Sequence, residues 1–316
     1  MEKILVIGAC GQLGTDLTVE LRRKFGKDHV IASDLNAPSF IKDFEPFVPL
    51  DVTQKDQVIS VVKKHKITQI YNLASILSAN AEQNAKLAWD VNVNGLMNVL
   101  ELAREKLIQR LFWPSSIAVF GPDTPSENTP QTTIMNPKTV YGISKLTGER
   151  WCEYYHDKFG VDVRSLRFPG LVGYNAPPGG GTTDYAVDIY HQALETGSYE
   201  SYLAEDTSLP FMYMSDAIKA TMQLMETDSD RIKIRSSYNV NAFSISPREI
   251  AASIKEHISK FTITYRPDYR QEIAGNWPHS INDTVARKDW GWDPDFGLKE
   301  MTRDMLEKLA KSAAKK

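Results

Sequence analysis

"KILVIGACGQLG", residues 3–14, decides how the rest of the chain is read. Ile4, Leu5, Val6 and Ile7 form an unbroken apolar run, the pattern of a strand buried on both faces of a parallel sheet. Gly8, Gly11 and Gly14 follow, and Leu13, Leu17, Leu21 and Phe25 recur every fourth residue as one stripe of a helix. A strand that runs through a glycine turn into a helix suits an anion, because the first backbone N–H groups of a helix have no partner within it. Glycines so spaced also make plain tight turns, so the surroundings must arbitrate. They supply Asp34, at the end of the next apolar run, "HVIASD" (29–34). A carboxylate there can accept hydrogen bonds from adenosine ribose hydroxyls while the helix start faces a pyrophosphate. It also repels a 2′-phosphate, and no Lys or Arg occurs from Leu35 to Ile41, so NAD is expected over NADP.

Further along, "FVPLDV" (47–52), "ITQIYNLA" (67–74), "RLFWPSS" (110–116) and "DVRSLRF" (162–168) read as strands. Helical stripes separate them: Val58, Val61 and Val62, then a long helix over 81–106, then a helix from Tyr141 to Phe159. Strand and helix in alternation predict an α/β fold, a doubly wound parallel (Rossmann) sheet, over residues 1–169. From about residue 170 the rhythm breaks. Residues 170–316 are expected to form mainly a smaller C-terminal substrate lobe, with some segments returning to the first domain.

Composition narrows the function classes. The 316 residues are 42% hydrophobic and 24% charged with a net charge of −3, which gives no reason to expect nucleic acid or an acidic membrane as partner. No apolar run approaches the roughly 18–20 residues that cross a bilayer. Cys10 and Cys152 are too few for a disulfide framework, so a reducing compartment is expected: the cytoplasm, or the mitochondrial matrix for a mature form. With the first strand starting near Lys3, no leader peptide is expected ahead of the fold. The six histidines are scattered without metal-ligand spacing, so no metal is expected.

"YGISK" puts Tyr141 and Lys145 on one face of a helix, and "PSSIAVFG" brings Ser115 and Ser116 to the carboxyl edge of the sheet. A phenol has an ordinary pKa near ~10 and is a weak base at neutral pH. A lysine ammonium and a positive nicotinamide ring beside it would favour the phenolate. Tyr141 could then take the proton of an alcohol as hydride leaves, with Ser116 holding the same oxygen.

Together with Gly8-x-x-Gly11-x-x-Gly14, the segments "NLA" (72–74), "VNVNG" (91–95), "SSIAVFG" (115–121) and Tyr141-x-x-x-Lys145 resemble the extended short-chain dehydrogenase/reductase superfamily over nearly the whole chain. The resemblance implies that Ser116, Tyr141 and Lys145 are catalytic and that Lys145 also binds the nicotinamide ribose. It implies cofactor contacts from Gly8, Gly11, Gln12, Leu13 and Gly14, from Asp34 and Leu35, and from Asp51 and Val52. It adds Leu73, Ala74 and Ser75, and also Asn92 and Pro169. Asp51 is open to two readings, a contact to the adenine amino group or a surface acid at a strand end. The resemblance also implies a homodimer that packs helices 81–106 and 141–159 against their copies.

"PPGGGTTDYAVDIYHQAL" (177–194) is a second glycine turn ahead of a helix. Nucleotide-sugar epimerases and dehydratases of the superfamily bind a diphosphate, which calls for Arg or Lys. None occurs from Phe168 to Ile218. Backbone N–H groups with Thr182 and Thr183 suit a single carboxylate instead, and Ser78 and Trp277 are expected at the same pocket. "LSA" (77–79), 169–194, "NWPHSIND" (276–283) and "ARKDWGWDP" (286–294) resemble the short-chain type of L-threonine 3-dehydrogenases. That resemblance implies L-threonine as substrate, NAD as cofactor, and Ser78, Ser116, Tyr141, Gly181, Thr182, Thr183 and Trp277 as substrate contacts. The alternatives are a nucleotide-sugar epimerase or dehydratase, and a dinucleotide sensor that has lost its chemistry.

Overall fold

A computed structural model describes residues 2–37, 44–175 and 181–314. Strands β1 (Ile4–Ile7), β2 (Val30–Asp34), β3 (Phe47–Pro49), β4 (Gln69–Asn72), β5 (Arg110–Ser116) and β6 (Asp162–Phe168) belong to one seven-stranded sheet. β7 (Gly170–Val172), β8 (Ser198–Ser201), β9 (Leu209–Tyr213), β10 (Tyr238–Asn239), β11 (Phe243–Ile245) and β12 (Thr262–Tyr265) follow. The large sheet has the order β10-β6-β5-β4-β1-β2-β3, and every pairing in it is parallel. The order reverses beside β1, between β2 and β4, and doubly wound sheets open a ligand crevice at such a point. β11-β9-β7 form a second sheet and β12-β8 a third.

The helices are α1 (Gln12–Phe25), α2 (Lys55–His65), α3 (Ser78–Gln83), α4 (Ala85–Trp89), α5 (Gly95–Arg104) and α6 (Val140–Phe159). Then come α7 (Tyr185–Glu195), α8 (Met214–Glu226), α9 (Pro247–Lys255), α10 (Tyr269–Gly275), α11 (Thr284–Trp290) and α12 (Leu298–Ala313). The stripe of α1 is what buries it. Leu17 and Leu21 pack with Ala217 and Leu224 of α8, each buried leucine contributing roughly 2 kcal/mol. Chain beyond residue 170 thus covers the first helix, and β10 extends the main sheet beside β6.

Two elements differ from the sequence reading. "FVPLDV" is a strand only to Pro49, because the Asp51 carboxylate accepts hydrogen bonds from the Thr53 amide (2.9 Å) and hydroxyl (2.7 Å), which turns the chain. Residues 81–106 are not one helix. Asn84 caps α4 by accepting from the Leu87 amide at 3.2 Å, and a π-helical turn at Asp90–Asn94 precedes α5. Val91 and Leu96 stand five apart, the step that such an inserted residue produces.

At the start of β6, Asp162 receives three arginines: Arg110 at 2.9 Å, Arg164 at 2.9 Å and Arg235 at 2.7 Å. Burial alone would raise its pKa, but the hydrogen bonds and charge of Arg164, with those of Arg110 and Arg235, outweigh that and hold it well below the ordinary carboxylate range. A depressed carboxylate pKa adds stability above the unfolded value near ~3.9, and the contribution is lost as pH falls toward the folded value. Asp162→Asn should therefore cost on the order of 3 kcal/mol at pH 7 and progressively less below pH ~4. Urea unfolding at both pH values checks this; an equal cost at both would refute the assignment.

Candidate active site

The turn between β1 and α1 is closed by contacts only glycine permits. Gly8 has φ +81°, and a Cβ there would lie 2.7 Å from the Ala74 backbone nitrogen. A Cβ on Gly14 would lie 2.2 Å from the Gly8 carbonyl oxygen. Side chains would thus fill the cradle in which α1 begins. Gln12 lines the cradle, and its buried Nε2 has no partner among the described residues. The arrangement fits the diphosphate of a dinucleotide, with backbone amides and one unused side-chain donor ready for anionic oxygens.

Two adjoining cavities run along the carboxyl ends of the strands, sharing Gly8, Gly11, Leu73 and Ser75. One is lined by Asp34, Leu35, Asp51, Val52 and Ala74, the expected adenosine end. The Asp34 carboxylate is fixed by the Cys10 amide (3.0 Å) and the Leu35 amide (2.8 Å). The other cavity brings Gln12, Leu13, Gly14 and Pro169 together with Ser116, Tyr141 and Lys145. Ser78, Gly181, Thr182, Thr183 and Trp277 line it too. Asn92 lines neither. It is buried, accepts from Ser75 Oγ (3.1 Å) and the Ile76 amide (2.8 Å), and donates to Ser144 Oγ (3.0 Å) and the Ile76 carbonyl (3.1 Å). Asn92 therefore sets the Ser75–Ile76 segment rather than facing the cleft.

Tyr141 hydrogen-bonds with Ser116 and Ser75. Burial pushes its phenol up to about 12, and those two bonds pull it back only in part. Burial likewise pushes Lys145 down to about 7. Its Nζ donates to the Pro114 carbonyl at 2.8 Å and lies 4.6 Å from the Trp113 ring centre and 5.4 Å from that of Tyr141. The carbonyl and the ring faces favour the ammonium, opposing desolvation.

At the expected substrate end, Thr182 is 1% exposed and its Oγ1 has no partner among the described residues. Neither Thr182 nor Thr183 is the N-cap of α7; Asp184 is, and its Oδ2 accepts the Gly181 amide at 2.8 Å. That amide is committed within the turn, while the amides of Gly179 and Gly180 lie outside the described residues. Sequence reasoning missed Asp184, which lines the cavity, and the apolar walls Leu77, Ile117, Phe168 and Leu171. Asp184 could have been found from its place between the threonines and the helix; the walls carry no local signal. Among the described residues lining this cavity, Lys145 is the sole Lys or Arg.

The profile of the NAD dependent epimerase/dehydratase family matches residues 4–240. The chain belongs to that family. Its structure is similar to that of a partial consensus L-threonine 3-dehydrogenase, at 52% identity with a TM-score of 0.96 over 98% of this chain and 99% of the other. It is also similar to the holo form of a GalE-like L-threonine dehydrogenase from Cupriavidus necator, 52% identical with a TM-score of 0.95 over 97% and 99%. An uncharacterised epimerase/dehydratase of Staphylococcus saprophyticus is 48% identical over 98% of this chain and 97% of its own length. The protein is an NAD-dependent oxidoreductase of the extended short-chain type, and NAD is its cofactor.

Asp34→Asn keeps the side chain's size but removes the charge that repels a 2′-phosphate. It should weaken NAD⁺ binding about tenfold, roughly 1.4 kcal/mol, and narrow the gap between NAD⁺ and NADP⁺. Titration of both cofactors by intrinsic fluorescence reads this directly. An unchanged ratio of the two affinities would show that Asp34 does not set cofactor choice.

Proposed function

We propose that this family member oxidises the side-chain hydroxyl of L-threonine with NAD⁺, giving 2-amino-3-oxobutyrate and NADH. The observation that carries the reading is the polarity of the substrate end. Ser78 and Thr182 are buried cavity-lining hydroxyls, Thr183 stands beside them, and Asp184 adds a negative charge there. Hydroxyl donors suit a carboxylate, and an acid suits an ammonium. A nucleotide-sugar diphosphate would need cations, and Phe168 to Ile218 supplies none.

NAD⁺ supplies the hydride acceptor and a positive ring. The protein's own groups handle the proton. Ser116 and Tyr141 converge on the substrate hydroxyl; the Tyr141 phenolate accepts its proton as the C–H bond yields hydride. Lys145, held by the Pro114 carbonyl, favours the phenolate when charged and would also hold the nicotinamide ribose of a bound NAD⁺. Leu77, Ile117 and Trp277 exclude water around the reacting carbon.

Two further features belong to the same reading. Leu87, Trp89, Ile143, Trp151 and Tyr154 expose apolar surface on α4 and α6, which suits a homodimer formed by helices 81–106 and 141–159. Both cysteines are free, which suits the cytoplasm; a mitochondrial location draws nothing from the Staphylococcus relative.

Mixing the protein with L-threonine and NAD⁺ should raise NADH absorbance, whereas an epimerase would give no net reduction of added cofactor. Because Tyr141 must lose a proton held at about 12 by burial, kcat should rise with pH across the neutral and alkaline range. Tyr141→Phe should lower kcat by about 100-fold or more while NAD⁺ affinity stays within about threefold. Full activity in that variant would remove Tyr141 as the base. Thr182→Ala should raise KM for L-threonine roughly tenfold with little change in kcat, since a hydrogen bond to a charged group contributes ~1.5 kcal/mol. A fall confined to kcat would instead place Thr182 in the chemical step.

A further inference from the structure

Glu149 is fully buried on α6, one turn beyond Lys145, and lines neither cavity. Its carboxylate is nonetheless crowded with donors. Ser115 Oγ donates to Oε1 at 2.6 Å, and Arg167 donates through Nε to Oε1 and through Nη2 to Oε2, both at 2.8 Å. Ser115 and Arg167 are direct partners in the β5–β6 register, so one carboxylate from the helix spans two strands. Arg167 is 1% exposed and spends Nη1 on the Gln131 carbonyl and Asn239 Oδ1, each at 3.0 Å. The second cation near Glu149 is Arg150, 3.8 Å away and half exposed.

Such a pair is an odd choice for stability alone. Desolvating both ions can cost more than their attraction returns, and apolar replacements of buried pairs are often neutral or stabilising. Its position suggests what it does. Tyr141, Lys145 and Glu149 follow at four-residue spacing along one face of α6. Ser115 immediately precedes Ser116, and Arg167 immediately precedes Phe168 and Pro169, which line the reaction cavity. Three chain segments that carry the site therefore meet at one carboxylate.

We infer that Glu149, through Ser115 and Arg167, is the positioning residue that holds Ser116, Tyr141–Lys145 and Phe168–Pro169 in catalytic register. It does not touch the reacting atoms. Fixed-geometry bonds from one carboxylate to both strands set the height of Ser116 against the Tyr141 hydroxyl. A displacement near 1 Å there is worth about 100-fold in rate. The inference rests on the dehydrogenase reading of this site but not on the identity of the alcohol.

The test compares Glu149→Gln, Ser115→Ala, Ser115→Thr and the double replacement Glu149→Leu with Arg167→Met. Each is measured for thermal midpoint, NAD⁺ affinity, and kcat and KM with L-threonine across pH. Ionisation of Tyr141 in the NAD⁺ complex is followed by NMR of carbon-13-labelled tyrosine, the resonance being the one lost in Tyr141→Phe. Glu149→Gln and Ser115→Ala should lower kcat about tenfold or more with KM and NAD⁺ affinity within about threefold. They should also move Tyr141 ionisation, and the rising limb of kcat, to higher pH, because a displaced Ser116 no longer stabilises the phenolate. Ser115→Thr keeps the hydroxyl and should restore both. The double variant should keep its thermal midpoint yet show the same kinetic loss, separating positioning from stability. Folded Glu149→Gln and Ser115→Ala proteins with wild-type kcat and unshifted Tyr141 ionisation would overturn the inference; if Glu149→Gln does not fold, Ser115→Ala and the double variant decide alone. Should the wild type leave L-threonine untouched, the substrate reading fails by itself, and the NMR titration still tests Glu149.

Discussion

The Gly8 carbonyl oxygen lies where α1 begins, and only a hydrogen at Gly14 fits against it, since a Cβ would stand 2.2 Å away. That contact seats the first helix directly on the end of β1. Two things follow from it. The helix start is aimed along the carboxyl edge of the sheet, where β2 delivers Asp34 and β4 delivers Leu73 to Ser75. The far side of α1 is left to be covered, which α8 does with Ala217 and Leu224 from the second half of the chain. One close approach near the N-terminus therefore determines both the cofactor cradle and the way distant sequence folds back.

Burial sets the chemistry of the reacting pair. Tyr141 and Lys145 are pushed in opposite directions, toward about 12 and about 7, and both shifts favour the neutral form. Burial alone would keep the Tyr141 phenol protonated at neutral pH. The groups around it act against desolvation: Ser116 and Ser75 on the phenol, the Pro114 carbonyl and the Trp113 face on the amine. Asn92 fixes Ser75 from behind through the π turn, so a local irregularity in the helix places a hydroxyl that hydrogen-bonds with Tyr141. The sequence spacing of Tyr141 and Lys145 explains their shared face; the tuning comes from backbone and side chains that meet only in the fold.

That division recurs wherever the chain is compared with its own sequence. β5 and β6 run over the very residues of "RLFWPSS" and "DVRSLRF", because apolar runs bounded by polar turns are local signals. The breaks at Asn84 and at Asp90–Asn94 were hidden by apolar residues that look periodic until the step from Val91 to Leu96 is counted. That Gly8, Asp34 and Ser75 would meet at one crevice was legible because each lies at or just past the carboxyl end of a strand. Asp184 carried a signal in its place just ahead of α7, but the adjoining threonines compete for the same N-cap role and masked it. Leu77, Ile117 and Leu171 come from different turns, and no periodicity announces a wall assembled that way.

The placement of charge separates the two ends of the crevice. At one end the acids Asp34 and Asp51 are held by backbone or hydroxyl donors. In the other cavity, Lys145 is the lone described Lys or Arg and is already spoken for by Pro114, while Asp184 contributes the opposite sign. The chain does not lack buried arginine: Arg164 and Arg167 are each nearly inaccessible, yet they are spent on Asp162 at the start of β6 and on Glu149 near its carboxyl end. Guanidinium groups are thus kept for the frame and withheld from the pocket. The pocket is walled by leucine, isoleucine and tryptophan, with hydroxyls at one end and a carboxylate beside them, and such a lining offers a phosphate few charged partners.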